Sequence, residues 1–65
     1  MKIKLNGVDV EFNKNTLMDL VLEKGFDSSS LIAEVNYEVI KQEKWDQLEI
    51  KDGDSIELLS FVGGG

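Results

Sequence analysis

The chain opens on strict alternation, Met1-Lys2-Ile3-Lys4-Leu5, with apolar residues at odd positions and lysines at even ones. After Asn6-Gly7 the alternation resumes as Val8-Asp9-Val10-Glu11-Phe12. Two such runs joined by Asn-Gly predict a β-hairpin, because a type I′ turn needs positive φ at both central residues. Its apolar face is Ile3, Leu5, Val8, Val10 and Phe12, and its other face is charged and wet. The period then changes. Leu17, Leu20 and Val21 recur at helical spacing, with Met18 and Leu22 at the margins of the same face. Thr16 with Asp19 three residues later is a capping-box variant, and Gly25 stands where a left-handed C′ residue is expected. A helix of two to three turns depends on docking, and the hairpin's apolar face is its natural support.

Asp27-Ser28-Ser29-Ser30 is a polar connector of surface-loop length. Leu31-Ile32-Ala33-Glu34-Val35-Asn36 reads as a third strand, with Leu31, Ala33 and Val35 inward if Glu34 faces water. A turn at Tyr37-Glu38 leads to Val39-Ile40, then to a helical turn around Gln42-Glu43-Lys44-Trp45. Leu48-Glu49-Ile50 reads as a short strand, Lys51-Asp52-Gly53-Asp54 as a turn, and Ser55 to Val62 as the last strand. The order hairpin, helix, strand, short elements, final strand is solved most economically by a mixed sheet with the helix across one face. This is an α+β fold, the β-grasp (ubiquitin-like) roll, with about four or five strands. Its expected core holds Ile3, Leu5, Val10, Leu17, Val21, Val35, Ile56 and Leu58. We divide the chain into a β-grasp domain, residues 1–62, and a flexible C-terminal tail, residues 63–65.

Composition narrows the function. At 65 residues the chain makes one domain, and such a domain buries only about 60% of the surface its unfolded form exposes. It has no cysteine and no histidine, so disulfides, thiolate metal sites and the commonest general base are all missing. Thirteen acidic residues against 7 basic ones leave a net charge of −6, and every basic residue is lysine. Without arginine there is no bidentate grip on phosphate or guanine, so nucleic acid is not the expected partner. The longest apolar run is far short of a membrane span, and the N-terminus lacks a signal-peptide pattern. A cytoplasmic domain without catalytic side chains of its own is the expectation. The carboxylates fall on solvated strand faces and in turns. Asp52-Gly53-Asp54 lacks the remaining ligands of a calcium loop, and Ser28-Ser29-Ser30 has no base to activate a hydroxyl. Tyr37 and Trp45 suit a binding platform, although a single tryptophan commonly packs over the edge of a core.

The end of the chain carries the sharper signals. If Ile56 and Leu58 face the core, Leu59 and Phe61 share the wet face with Glu57. Leu59, Phe61 and Val62 then form a partner-docking surface, unless Trp45 or Ile32 covers it or the alternation slips at Leu58-Leu59. Gly63-Gly64-Gly65 follows directly. These glycines read either as an incidental appendage or as a side-chain-free terminus able to thread a narrow channel. Three extended residues reach roughly 10 Å, and the α-carboxylate they carry is ionised at neutral pH.

On these residues the chain resembles the prokaryotic sulfur carriers, most closely the ThiS family of thiamin biosynthesis. The resemblance spans the whole chain. It rests on Ala33-Glu34-Val35-Asn36 followed by Val39-Ile40, on the step Glu43-Lys44-Trp45, on the turn Asp52-Gly53-Asp54, and on Phe61-Val62-Gly63-Gly64-Gly65. A third glycine departs from many relatives, which carry another small residue there. The resemblance implies that an E1-like adenylyltransferase uses ATP and magnesium to adenylate the Gly65 carboxylate, with Gly63 and Gly64 threading its active site. It further implies a persulfide donor, such as one charged by a cysteine desulfurase, that converts the adenylate to a thiocarboxylate. Thiazole synthase then receives the sulfur. The carrier itself binds no cofactor or metal. Two other readings share these residues: a molybdopterin-type carrier with the same chemistry and a different acceptor, and a non-covalent β-grasp interaction module whose glycines are incidental.

Overall fold

In the computed structural model, which describes residues 1–61, the opening alternation folds as β1 (Lys2–Leu5) and β2 (Val8–Glu11). They pair antiparallel with Ile3 opposite Val10 and Leu5 opposite Val8. Asn6 and Gly7 both adopt positive φ, 51° and 82°, as the two-residue turn requires. Helix α1 (Leu17–Lys24) starts and stops at the expected caps. The Asp19 amide donates to Thr16 Oγ1 at 3.2 Å, the Thr16 amide donates to Asp19 Oδ2 at 3.0 Å, and Gly25 closes the helix at φ 78°.

The first pH dependence follows from that cap. Hydrogen bonds from the Thr16 amide, then from the Asn15 amide and the Thr16 hydroxyl, hold the Asp19 carboxyl below its ordinary value. A depressed folded pKa stabilises above the unfolded pKa and loses that contribution as pH falls through the folded one. Acidification below about pH 4 is therefore expected to lower the melting temperature more in the wild type than in Asp19→Asn. Parallel thermal scans of both chains across that range check it.

Single 3₁₀ turns at Ser28–Ser30 and Gln42–Lys44 flank β3 (Leu31–Val35) and β4 (Glu38–Ile40), and β5 (Ser55–Ser60) follows. The five strands form one mixed sheet in the order β2-β1-β5-β3-β4, with β1 and β5 parallel and the other pairs antiparallel. β5 therefore occupies the centre. The core comprises Ile3, Phe12, Leu17, Leu20, Val21, Leu31, Ala33, Val35, Trp45, Ile50, Ile56 and Leu58, with Leu5 and Val10 partly buried against it. Helix and sheet meet there.

Several expectations are corrected. Val8 is exposed, because it sits beside the turn at the tip of an edge strand. The second hairpin turns at Asn36-Tyr37, one residue earlier than expected, since Val35 pairs with Glu38. Both turn residues have positive φ, 52° and 72°, which a tyrosine adopts only under strain. Asn36 holds the turn: its amide donates to the Ser55 carbonyl at 2.7 Å, and its Oδ1 accepts from the Ser55 amide at 3.0 Å. Leu48-Glu49-Ile50 is not a strand, because it pairs with the approach to the helix instead of the sheet. The Leu17 amide donates to the Leu48 carbonyl, the Ile50 amide to the Asn15 carbonyl, and Thr16 and Glu49 form a single bridge. Trp45 is no surface platform. It is fully buried, with its indole N–H satisfied by the Ile40 carbonyl at 2.8 Å.

Candidate functional site

The sheet has one face under the helix and one open face, and the two exchange along β5 residue by residue. Ile56 and Leu58 are buried, whereas Leu59 and Phe61 are each 47% exposed. The alternation does not slip. Leu59 lies opposite Ile32 in the β3–β5 ladder, so the two share the open face, and Ile32 is itself 41% exposed. Ile32 therefore extends the apolar surface instead of covering it, and Trp45, on the core side, covers none of it. The sequence allowed both outcomes at this point, and the register decides for exposure.

The last strand stops at Ser60, but Phe61 stays attached: its amide donates to the Ser30 carbonyl at 3.0 Å. That carbonyl is fixed by the 3₁₀ turn before β3. Asp27 caps the turn, accepting from the Ser29 hydroxyl at 2.8 Å and the Ser29 amide at 3.0 Å, and these bonds hold its carboxyl below the ordinary range. Val62, the third residue of the expected docking surface, and Gly63, Gly64 and Gly65 lie outside the described residues, as does the boundary at 62/63. Next to the apolar pair, Glu34 stands opposite Glu57 on the same open face, with Val39 opposite Glu34 on the edge strand. Two facing carboxylates are unfavourable to one another, and they bias this face towards a basic partner.

The surface thus reads as an apolar end, formed by Ile32, Leu59 and Phe61, beside an acidic rung. Ile32 and Val39 were absent from the expected surface. The outward position of Ile32 follows from the inward Leu31, Ala33 and Val35, whereas Val39 required the β3–β4 register. Among the described residues, no group of three or more His, Cys, Asp or Glu side chains is arranged to hold a metal ion. No helix among them is long and apolar enough to cross a membrane. The described site offers a surface to bind. It does not assemble a nucleophile with a base.

A small mixed sheet that grasps one helix, with a central last strand leading from an exposed apolar end into a glycine terminus, defines a ubiquitin-like β-grasp protein. The ThiS family model matches residues 3–65, and the chain belongs to the ThiS family. It is 38% identical over 65 residues to the sulfur carrier protein ThiS of Bacillus subtilis, an alignment covering 97% of this chain and 98% of that protein. It is also 33% identical over 66 residues to the thiazole synthase of Paramagnetospirillum magneticum, covering all of this chain and 20% of that protein. The crystal structure of the thiamine biosynthesis protein ThiS from Geobacter metallireducens shares the fold at a TM-score of 0.85, with 30% identity and complete coverage of both chains.

Proposed function

We propose that this chain is the sulfur carrier for synthesis of the thiamin thiazole, a protein co-substrate whose reacting group is the Gly65 carboxylate. The observation that carries the reading is the match of the ThiS family model to residues 3–65, Gly63-Gly64-Gly65 included, together with 38% identity to a ThiS sulfur carrier, in a chain that exposes Leu59 and Phe61 just before those glycines. The match to one fifth of a thiazole synthase supports the same assignment, since it places a carrier-like stretch in one polypeptide with the enzyme type that would take the sulfur.

The chemistry asks little of the carrier's own side chains. A carboxylate is a poor electrophile, so an E1-like adenylyltransferase brings it to ATP, with magnesium held by that enzyme and the phosphates. A Gly65 carboxylate oxygen attacks the α-phosphorus, pyrophosphate leaves, and the acyl-adenylate that forms has AMP as a good leaving group. The terminal sulfur of a persulfide donor, such as one charged by a cysteine desulfurase, attacks the acyl carbon and expels AMP. A thiol then attacks the donor-side sulfur of the resulting acyl disulfide, leaving a thiocarboxylate on Gly65. Thiazole synthase accepts that sulfur. Gly63 and Gly64 keep the approach free of side chains. Leu59, Phe61 and Val62, extended by Ile32, dock the domain on its partners, and the acidic rung favours a basic surface opposite. Incubation with ATP and a cognate adenylyltransferase tests the reading: AMP should appear on the C-terminal residue. A chain that binds the enzyme and never gains AMP would instead be an interaction module.

Phe61→Asp probes the docking surface. Phe61 is half exposed and outside the core, so the variant is expected to fold with little change in melting temperature. It sets a charge against an apolar contact, and kcat/KM for adenylation should fall at least about tenfold, the scale of a well-packed interface anchor. Steady-state kinetics alongside circular dichroism separates this from unfolding. An unfolded Phe61→Asp would show that the residue belongs to the core.

A further inference from the structure

The parallel pairing between β1 and β5 is short, with Lys4 opposite Ser55 and Leu5 opposite Ile56. At Asn6-Gly7 the chain then turns away from β5. Three hydrogen bonds nevertheless run between Asn6 and β5. The Asn6 backbone amide donates to the Ile56 carbonyl at 2.9 Å. Its side-chain Oδ1 accepts from the Leu58 amide at 2.8 Å, and its Nδ2 donates to the Leu58 carbonyl at 3.2 Å. The Leu58 amide can only donate and its carbonyl can only accept, so the pair of bonds requires the orientation seen. The side chain stands in for the next residue of β1.

The turn alone does not call for this. A φ of 51° at Asn6 is one that glycine, asparagine and aspartate all adopt in such turns. Only the amide offers an acceptor and a donor at the spacing of a backbone peptide group. Beyond Leu58, no described residue bonds to β5 on the β1 side. On the β3 side the last described bond is that of the Phe61 amide to the Ser30 carbonyl. Leu59, Ser60 and Phe61 are therefore framed by two final tethers, and one of them is a side chain.

We propose that Asn6 is a positioning residue for carrier docking: its carboxamide clamps β5 at Leu58 and presents Leu59 and Phe61 as a preformed edge to the adenylyltransferase. The proposal rests on the sulfur-carrier reading. Without the clamp, the end of β5 frays, and a partner must order it on binding, which weakens docking without touching the reacting carboxylate. The effect belongs in KM.

Asn6→Gly keeps the turn and deletes both side-chain bonds. Asn6→Asp keeps the turn and the acceptor for the Leu58 amide, but sets a carboxylate oxygen against the Leu58 carbonyl. Native-state amide exchange on Asn6→Gly should accelerate at Leu58 and Phe61 at least about tenfold beyond any change at Leu20 and Val21 in the helix. KM for adenylation should rise about tenfold while kcat stays within about twofold, and Asn6→Asp should fall between. Uniform acceleration at all four amides would overturn the proposal, since Asn6 would then serve global stability only. An unchanged KM despite local exposure would overturn it as well. A wild-type chain that is never adenylated would refute the carrier reading instead, and the exchange pattern would still decide whether Asn6 clamps the strand.

Discussion

Gly64→Val is expected to abolish adenylation while leaving the melting temperature unchanged. Gly64 lies four positions past Ser60, the end of β5, and the buried core of the described residues is built from residues between Ile3 and Leu58. In the proposed reaction, however, the last residues must enter a passage that delivers a carboxylate to the α-phosphate of ATP, and a β-branched side chain needs room that a bare backbone does not. A misplacement of about 1 Å at the reacting atom can cost on the order of a hundredfold in rate. Adding one residue after Gly65 should be as damaging, because it moves the carboxylate beyond the reacting position. Mass spectrometry of each variant after incubation with ATP and the adenylyltransferase reads the AMP adduct directly. Full modification of Gly64→Val, or of a chain ending before Gly63, would remove the tail from the mechanism and with it the carrier assignment.

The second large effect is on folding. Leu58 is 2% exposed in the centre of the core, on the central strand, and its backbone is held by Asn6 on one side. Leu58→Ala should cost about 2–5 kcal/mol through lost burial and the cavity left behind. A domain of this size is stable by roughly 3–10 kcal/mol, so the variant should be substantially unfolded at physiological temperature or close to it. Its neighbour Leu59 gives the contrast. Leu59→Ala removes a half-exposed side chain and should cost far less stability, while weakening docking. Chemical denaturation of the two variants measures the difference between adjacent residues on opposite faces of one strand. Equal losses would mean that the open face is covered.

The hairpin, the helix with both caps, and the inward set of the third and last strands were legible because each depends on local rules. Asn6-Gly7 dictates its own turn, Thr16 and Asp19 satisfy one another within three residues, and alternation assigns Leu58 and Leu59 to opposite faces wherever the strand ends up. The elements misread were those whose conformation is set from a distance. Leu48-Glu49-Ile50 looks like a strand, but it bonds to residues 15–17 at the start of the helix. Tyr37 sits in a left-handed turn because Asn36 is gripped by Ser55 and because the β3–β4 register leaves no other pair of residues for the turn. Trp45 is buried because the segment after β4 returns to the first turn of the helix, where the Met18 amide donates to the Trp45 carbonyl, a path no local pattern encodes. Whether Leu59 and Phe61 were free also lay beyond the sequence, since exposure depends on which residue stands across the sheet, and Ile32 stands there on the same face. Asn6 shows the division most clearly. Its place in the turn follows from its neighbour Gly7, whereas its grip on Leu58, 52 positions away, exists only once β1 and β5 lie side by side. Local propensity acts over a few residues and survives in any fold, but a hydrogen bond across the sheet needs the sheet.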